Sequence, residues 1–283
     1  MIKTVKNSFI LLKDNIVILQ PLVLYVLIIG ILIKPAMSMH VFNIYSILLL
    51  ISIFLFTIAF IAGWFYMAKV AISKRNIVYD SLEDKNIASL NLLKQFFTGV
   101  GEYFLPMALT IILYVVFFVA FSFIAYKAGL HIIGKPQFDI ETIKYFSGMN
   151  PEELQKYLAA ASVSDKVIIS FYNWSLYFSF VSLLFSIITV FWFPIIFYNT
   201  KNPFMAYFYN IKFTFYNILD VSIIVIFLTL INLLLSFINI FASLNIVFSV
   251  ISLLLMFVYM NYYILLVFLY YDEKTQINSH SGT

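Results

Sequence analysis

Two stretches near the end of the chain decide its fold: residues 221–241, VSIIVIFLTLINLLLSFINIF, and residues 246–271, IVFSVISLLLMFVYMNYYILLVFLYY. Neither stretch contains Asp, Glu, Lys, Arg or His. A helix of about 20 apolar residues crosses the hydrocarbon core of a bilayer, which is about 30 Å thick. Because only residues 242–245 separate the two stretches, we expect them to form an antiparallel helical hairpin across a membrane.

Four further runs of the same kind precede this hairpin, at residues 16–33, 41–68, 103–126 and 167–198. Lipid offers no partner to backbone amides, so a spanning segment must be a helix or part of a closed barrel. Barrel strands are short and alternate apolar with polar residues, and these runs do neither. The sequence therefore predicts an all-α fold, a polytopic transmembrane helical bundle with six spans. We expect one membrane domain over residues 1–271 and a polar tail over 272–283.

The composition agrees with this class. Hydrophobic residues make up 63% of the chain and charged residues 11%, whereas a soluble domain carries about 25% charged residues. The net charge of +4, without a basic run, argues against nucleic acid as a partner. The chain has no cysteine, which excludes disulfides and thiolate chemistry. The abundance of Phe, Tyr, Ile and Asn suggests an AT-rich bacterial genome, and so a bacterial inner membrane.

The distribution of basic residues predicts the orientation. With the N-terminus inside, 11 of the 17 Lys and Arg residues lie on the inner side. Cytoplasmic loops carry such an excess. Both termini are therefore predicted to be cytoplasmic, and residues 127–166 form the one large outer loop. Two short helices are predicted there, beginning near Asp139 and at Asn150.

Three amphipathic stretches precede the outward-going spans, and we expect each to lie as a helix in the headgroup region. The second is predicted to begin at Ser89 as N-cap and to stop at Gly99, and the third to begin at Asn202-Pro203. The chain thus repeats one architectural unit three times: an interfacial helix, a span out and a span back. The apolar stripes comprise Ile2, Val5, Phe9 and Leu12; Leu90, Leu93 and Phe97; and Phe204, Phe208, Ile211, Phe215 and Ile218.

Each outward-going span begins near one acid: Asp14, Glu102 or Asp220. Two readings are open. A carboxylate at a helix N-terminus is stabilised by about 0.3–1 kcal/mol through the helix dipole. Alternatively, the three acids converge as a cytoplasmic vestibule that attracts a cation.

Uncharged polar residues recur on one face of spans four and five. Small and hydroxyl-bearing residues let membrane helices approach closely, and Asn hydrogen-bonds between helices. These faces are either packing surfaces or the lining of a polar path, to which Asn261 and Tyr259, Tyr262 and Tyr263 would add groups from span six. Pro194 predicts a kink in span four. The candidate residues are Ser175, Ser179, Ser182, Ser186, Thr189, Thr229, Asn232, Ser236 and Asn239.

Signatures of enzymes and ion-coupled pumps are missing from the sequence. Proton relays and voltage sensors place charged residues inside spans, and the centres of all six runs lack them. We find no zinc-protease or phosphate-binding motif, and His40, His131 and His280 match no metal-binding spacing. We predict no catalytic, cofactor-binding or metal-binding residue and no cofactor, and hence a protein that is not an enzyme.

Residues 191–198, FWFPIIFY, followed by Asn202-Pro203-Phe204-Met205-Ala206, resemble a segment of several bacterial six-helix membrane families. The family that we name is the membrane domain attached to some glycerophosphodiester phosphodiesterases. In these families an inward-going span with a proline ends in a polar turn before an interfacial helix. The resemblance covers about 30 residues. Thr200 and Lys201 stand where these families often carry an acid, so it implies an architecture and transfers no catalytic residue.

These observations lead to two functional hypotheses. The first is a non-enzymatic accessory or scaffold module that binds lipid or another membrane protein. The second is a transporter or channel for a neutral or lipidic substrate, which would use the polar faces of spans four and five.

Overall fold

A computed structural model describes residues 1–38, 44–77, 81–137, 165–242 and 245–281. Within these ranges the ordered elements are helical and no strand occurs. In this part of the chain, six helical segments are long and apolar enough to cross a membrane. The predicted all-α class with six candidate spans is confirmed. These segments are Ile16–Ile33, Ile44–Ser73, Leu82–Ile132, Lys166–Tyr198, Ile218–Phe241 and Ile246–Gln276.

The chain divides into two compact units, one formed by Met1–Leu113 with Ile187–Thr283 and the other by Tyr114–Ser186. The prediction of a single membrane domain stays a prediction. The helices, in chain order, are α1 (Ile2–Asp14), α2 (Leu19–Ser38), α3 (Ile44–Ser73), α4 (Leu82–Ile132), α5 (Asp165–Thr189), α6 (Trp192–Tyr198), α7 (Pro203–Tyr216), α8 (Ile218–Ala242) and α9 (Ile246–Ser281).

Helix α4 corrects the prediction of a separate second interfacial helix. Its 51 residues run without interruption, and at 1.5 Å per residue they extend about 75 Å, far more than one bilayer core. Ser89 is no cap, because its hydroxyl donates to the Lys85 carbonyl within the helix. The cap is Ser81, whose Oγ accepts from the Asp84 amide at 3.1 Å.

Gly99 does not stop the helix, and its role is to allow α3 and α4 to touch. A Cβ atom at Gly99 would lie 2.5 Å from the Cβ of Tyr66 and 2.9 Å from the carbonyl oxygen of Ala62. A Cβ at Gly63 would lie 2.7 Å from the Phe96 ring. The two glycines therefore face the same crossing, as small residues do where membrane helices approach closely.

The fourth candidate span is broken where its proline predicts. Helix α5 ends at Thr189 and α6 begins at Trp192. Pro194 has no N–H for the carbonyl of Val190, and its ring would clash with that carbonyl in a straight helix. The predicted kink is therefore confirmed.

Helix α7 follows this break and is built as predicted. The Asn202 side-chain oxygen accepts from the amides of Phe204 at 3.0 Å and Met205 at 3.3 Å, and Pro203 occupies the first helical position. The side-chain amide of Asn210 donates to the carbonyl of Ile188, near the interrupted end of α5. The indole of Trp192 donates to the Pro203 carbonyl at 3.0 Å.

The core of the first unit lies towards one end of its long helices, which we call the terminal end because α1 meets the last turns of α9 there. The Thr4 hydroxyl donates to the Glu273 carboxylate at 2.7 Å. Rings of α3, α6 and α9 pack together nearby, with centroids of Phe65 and Phe268 5.5 Å apart and of Phe197 and Phe268 5.7 Å apart. In α9, residues 261–272 are mostly buried and 246–256 mostly exposed.

The polar tail predicted over 272–283 is helical through Ser281. Asp272, Glu273 and Lys274 each contact a side chain from another part of the first unit. These contacts hold the last turns in register with the core, which explains why the helix continues past the apolar run.

The interfacial helices expose large residues of their apolar stripes. In α1 Ile2 is 83% and Phe9 62% exposed, while the small polar Thr4 and Ser8 are buried together with Leu11 and Leu12. In α7 the buried residues are Pro203, Ala206, Asn210 and Thr214, and Phe204, Phe208 and Phe215 are exposed. Helix α4 likewise exposes Leu90 and Phe97. Helices that expose large apolar side chains in this way are typical of a membrane interface.

The second unit pairs the end of α4 with α5. A Cβ at Gly129 would lie 2.7 Å from the Trp174 ring, and the Tyr177 hydroxyl donates to the Ala125 carbonyl at 2.8 Å. Phe185 packs against the rings of Tyr114 and Phe118, each at 5.3 Å. The short helices predicted from Asp139 and Asn150 lie outside the described residues.

We expect Gly99→Ala to lower the free energy of unfolding by about 1–3 kcal/mol, the usual range for overpacking. Gly101→Ala is the matched control in the same helix, because a Cβ there meets no atom within 4 Å. That change should be neutral or stabilising by up to about 1 kcal/mol through helix propensity. Thermal unfolding of both variants in detergent tests this, and equal stabilities would contradict the close crossing.

Candidate functional site

Three of the four polar residues predicted on span five, Asn232, Ser236 and Asn239, line a groove between α8 and α9. Its volume is about 430 Å³. Across it, the Ser252 hydroxyl donates to the Asn239 side-chain oxygen at 3.1 Å. We call this the polar groove. Its lining residues are Asn232, Leu235, Ser236, Asn239, Ser249, Ser252, Leu253 and Met256.

Asn232 and Ser236 form the part of the polar groove whose hydrogen-bonding capacity is unused. Both are exposed, and among the described residues no hydrogen bond to either side chain occurs. Thr229, one turn earlier, is satisfied because its hydroxyl donates to the Val225 carbonyl at 2.8 Å. Leu233 and Leu234 flank these positions and are 59% and 65% exposed, so the surroundings are apolar.

The polar face predicted on span four differs from the polar groove in its hydrogen bonding, because two of its serines bond within their own helix. Ser175, Ser179 and Ser182 are exposed and Ser186 is half-buried. The Ser179 and Ser186 hydroxyls donate to the carbonyls of Ser175 and Ser182, four residues back in the same helix. Such back-bonding removes the need for an external partner. Thr189 is buried in the first unit. The hypothesis of a path shared by spans four and five stays a prediction.

The polar groups of span six near the terminal end connect helices. The Asn261 side-chain oxygen accepts from the Trp64 indole at 3.2 Å, and its amide donates to Phe257 in its own helix. The Tyr259 hydroxyl donates to the Leu228 carbonyl at 2.9 Å, and that of Tyr262 to the Val5 carbonyl at 3.4 Å. These contacts are those of packing residues.

Each of the three candidate acids is paired with a lysine from a different segment. Asp14 lies 3.3 Å from Lys85, and Glu102 lies 3.3 Å from Lys201. Asp220 lies 3.0 Å from Lys274 and also accepts from the Tyr270 hydroxyl at 3.0 Å. The pairs therefore neutralise the acids locally. Their convergence as a cation-attracting vestibule stays a prediction.

The ion pair between Arg75 and Asp272 is the least exposed of the four pairs among the described residues, with side chains 24% and 11% exposed. Gln276 also donates to the Asp272 carboxylate. Neither Arg75 nor Asp272 is among the candidate residues predicted from the sequence. Both residues follow an inward-going span, so topology places them on one side, but the sequence carries no signal for the partner of each charge.

Lys69 is held among aromatic rings. Its ammonium donates to the Phe197 carbonyl at 2.7 Å and lies 5.6–5.9 Å from the ring centroids of Tyr66, Tyr103 and Tyr198. The carbonyl belongs to the last turn of α6, where no helical partner is available, and a cation there is favourable. Each cation–π contact adds about 0.5–1 kcal/mol. Lys69 thus fixes the end of the broken span.

In the ranges that the structure covers, no group of three or more His, Asp or Glu side chains is placed to hold a metal ion. Comparison with known protein families, with curated proteins and with solved structures gave no match to this chain. The resemblance to phosphodiesterase-linked membrane domains therefore stays a prediction.

We expect Asp272→Asn to lower the free energy of unfolding by about 2 kcal/mol, because it leaves Arg75 half-buried without its charged partner. Asp14→Asn should change it by less than about 1 kcal/mol, because that pair is exposed and screened. Thermal unfolding in detergent measures both. A double variant, Arg75→Gln with Asp272→Asn, should lose less than the sum of the single changes, and strict additivity would contradict the pairing.

Proposed function

We propose that this protein is a non-enzymatic accessory module of a membrane, and that the polar groove binds a transmembrane helix of another membrane protein. The observation that carries the proposal is the unused hydrogen-bonding capacity of Asn232 and Ser236 on an otherwise apolar hairpin. Hydrocarbon cannot satisfy these groups, and an unpaired polar group costs several kcal/mol there.

A partner helix supplies what the groove lacks. Ser, Thr, Asn or Gln side chains on such a helix would pair with Asn232 and Ser236, at about 0.6–2 kcal/mol for each bond. The lining residues Ser236, Ser249 and Ser252 are small, which favours close approach of a second helix. The candidate acids Asp14, Glu102 and Asp220 are each already paired with a lysine. Because these lysines balance their charge, the acids do not require a cation as partner, which favours an accessory role over ion transport.

We place the module in a bacterial inner membrane with both termini in the cytoplasm. Six crossings by the candidate spans of the described residues would leave both termini on one side, which supports this orientation. The basic residues that follow inward-going spans favour the cytoplasm for that side.

A second candidate function uses the same groove. Its polar lining and its volume of about 430 Å³ would suit passage of a neutral or lipidic substrate along the hairpin. A transporter moves its substrate without another protein, whereas an accessory module does not. A flux measurement on the isolated protein therefore distinguishes the two functions.

The proposal predicts a protein contact at the groove and none beside it. A photo-crosslinking side chain at Leu253, which lines the groove, should give an adduct with another protein in native membranes. Leu254, the next residue, does not line it and is the matched control. Asn232→Leu should reduce the Leu253 adduct about five-fold, the factor that corresponds to about 1 kcal/mol.

The partner identified by mass should re-form the adduct when both purified proteins are placed in liposomes. Equal adducts at Leu253 and Leu254, or an adduct insensitive to Asn232→Leu, would contradict the proposal. An adduct with twice the mass of the polypeptide would show that the groove binds a second copy of this protein instead of a different partner. Robust solute or lipid flux by the protein alone would favour the transport function.

A further inference from the structure

A second groove lies on the same hairpin and has the opposite chemistry. Its volume is about 600 Å³, and residues of α1, α8 and α9 form its walls. We call it the apolar groove. It shares only Leu235 with the polar groove. The lining residues are Val5, Lys6, Phe9, Ile10, Leu12, Phe227, Ile231, Leu235, Leu255, Val258, Tyr259 and Tyr262.

Apart from Lys6, the lining is hydrocarbon, even where it contains tyrosine. The hydroxyl of Tyr259 donates to Leu228 and that of Tyr262 to Val5, so both polar tips are used elsewhere. The rings remain to line the groove. A polar or hydrated ligand would find no partner along this wall, whereas an alkyl chain loses nothing by entering it.

The dimensions suit one leaflet of a bilayer. Residues 227–235 of α8 rise about 12 Å along the groove, close to half of the 30 Å core. Helix α1 closes the groove at the terminal end, and its Ile2 and Phe9 are exposed as in a helix that lies at the headgroup level. The groove thus runs from the headgroup layer towards the middle of the membrane.

Lys6 is the charged residue at the mouth of the apolar groove. It is exposed, and among the described residues no carboxylate lies within ion-pair distance of it. Lys3 and Lys13 on the same helix are also exposed, while Asp14, the acid of α1, pairs with Lys85. The mouth therefore carries an unbalanced positive charge above a hydrocarbon groove.

We propose that the apolar groove binds one acyl chain of an anionic phospholipid from the leaflet at the terminal end, and that the lipid phosphate pairs with Lys6. The acyl chain of the lipid would contact Phe227, Ile231 and Val258 along the groove. The lipid phosphate would balance the positive charge of Lys6 at the mouth. This proposal does not depend on the proposed function, since the two grooves are lined by different side chains apart from Leu235.

The test uses the full-length protein in detergent and native mass spectrometry with added phosphatidylglycerol or phosphatidylcholine of the same chains. We expect one phosphatidylglycerol to be retained per protein, and phosphatidylcholine to bind about five-fold more weakly, which is about 1 kcal/mol for one basic residue near an anionic headgroup. Lys6→Gln should remove this preference and Lys6→Arg should keep it. Lys13→Gln is the matched control on the same helix, outside the groove.

The acyl-chain part is tested by Ile231→Trp, which fills the groove and should weaken both lipids about equally. Leu230→Trp, on the adjacent exposed surface, should leave both unchanged. Circular dichroism must show native helicity for each variant that is compared. Soluble glycerol phosphate should not compete, and competition by it would assign the site to a free phosphate.

Equal retention of the two lipids, or an equal effect of Lys6→Gln and Lys13→Gln, would overturn the headgroup assignment. Retention of several lipids per protein without saturation, unaffected by Ile231→Trp, would overturn the groove itself. Neither result bears on the crosslink at Leu253, so failure of this inference is distinguishable from failure of the proposed function.

Discussion

Backbone carbonyls freed by a break in a membrane span need donors, and the structure of the first unit depends on how this constraint is met. Trp192, Asn210 and Lys69 donate to the carbonyls of Pro203, Ile188 and Phe197, near the ends of α5, α6 and α7. These donors make the break before Pro194 tolerable, because a span interrupted in lipid would otherwise expose unpaired backbone. The core then forms around that break.

The interfacial helices also reflect the membrane environment. Their buried sides include small or polar residues, Thr4 and Ser8 in α1 and Ala206 and Asn210 in α7, although Leu12 of the α1 stripe is buried as well. Small polar residues allow close packing and leave Phe9 and Phe208 on the surface. A soluble protein would place these residues the other way round. Their outward orientation is therefore strong support for contact with a membrane.

Much of this architecture can be predicted from the sequence because it depends on local rules. Run length predicts the six spans, Pro194 predicts the break, and Asn202-Pro203 predicts the start of α7. The continuity of α4 could not be predicted, since Ser89 and Gly99 are typical cap residues that here serve helix back-bonding and close packing. The role of Asp272 could not be predicted either, because it depends on Arg75, which lies 197 residues away in the sequence.

The roles of the polar residues inside the candidate spans likewise could not be predicted from the sequence. Their spacing on one face is visible in the sequence, but their hydrogen bonds are not. Ser179 satisfies itself through its own helix and Asn261 binds Trp64, whereas Asn232 faces an open groove. Residue type alone cannot separate these three situations, because each uses a neighbour that only the fold supplies.

The hairpin of α8 and α9 brings two binding chemistries to one pair of helices. Leu235 lines the polar groove and the apolar groove, and every other lining side chain belongs to one groove alone. A partner helix would meet Asn232 and Ser236 on one side of the hairpin, whereas an acyl chain would meet Phe227, Ile231 and Val258 on the other. Because the walls are separate, a substitution in one groove leaves the chemistry of the other intact, and each occupant can be tested alone.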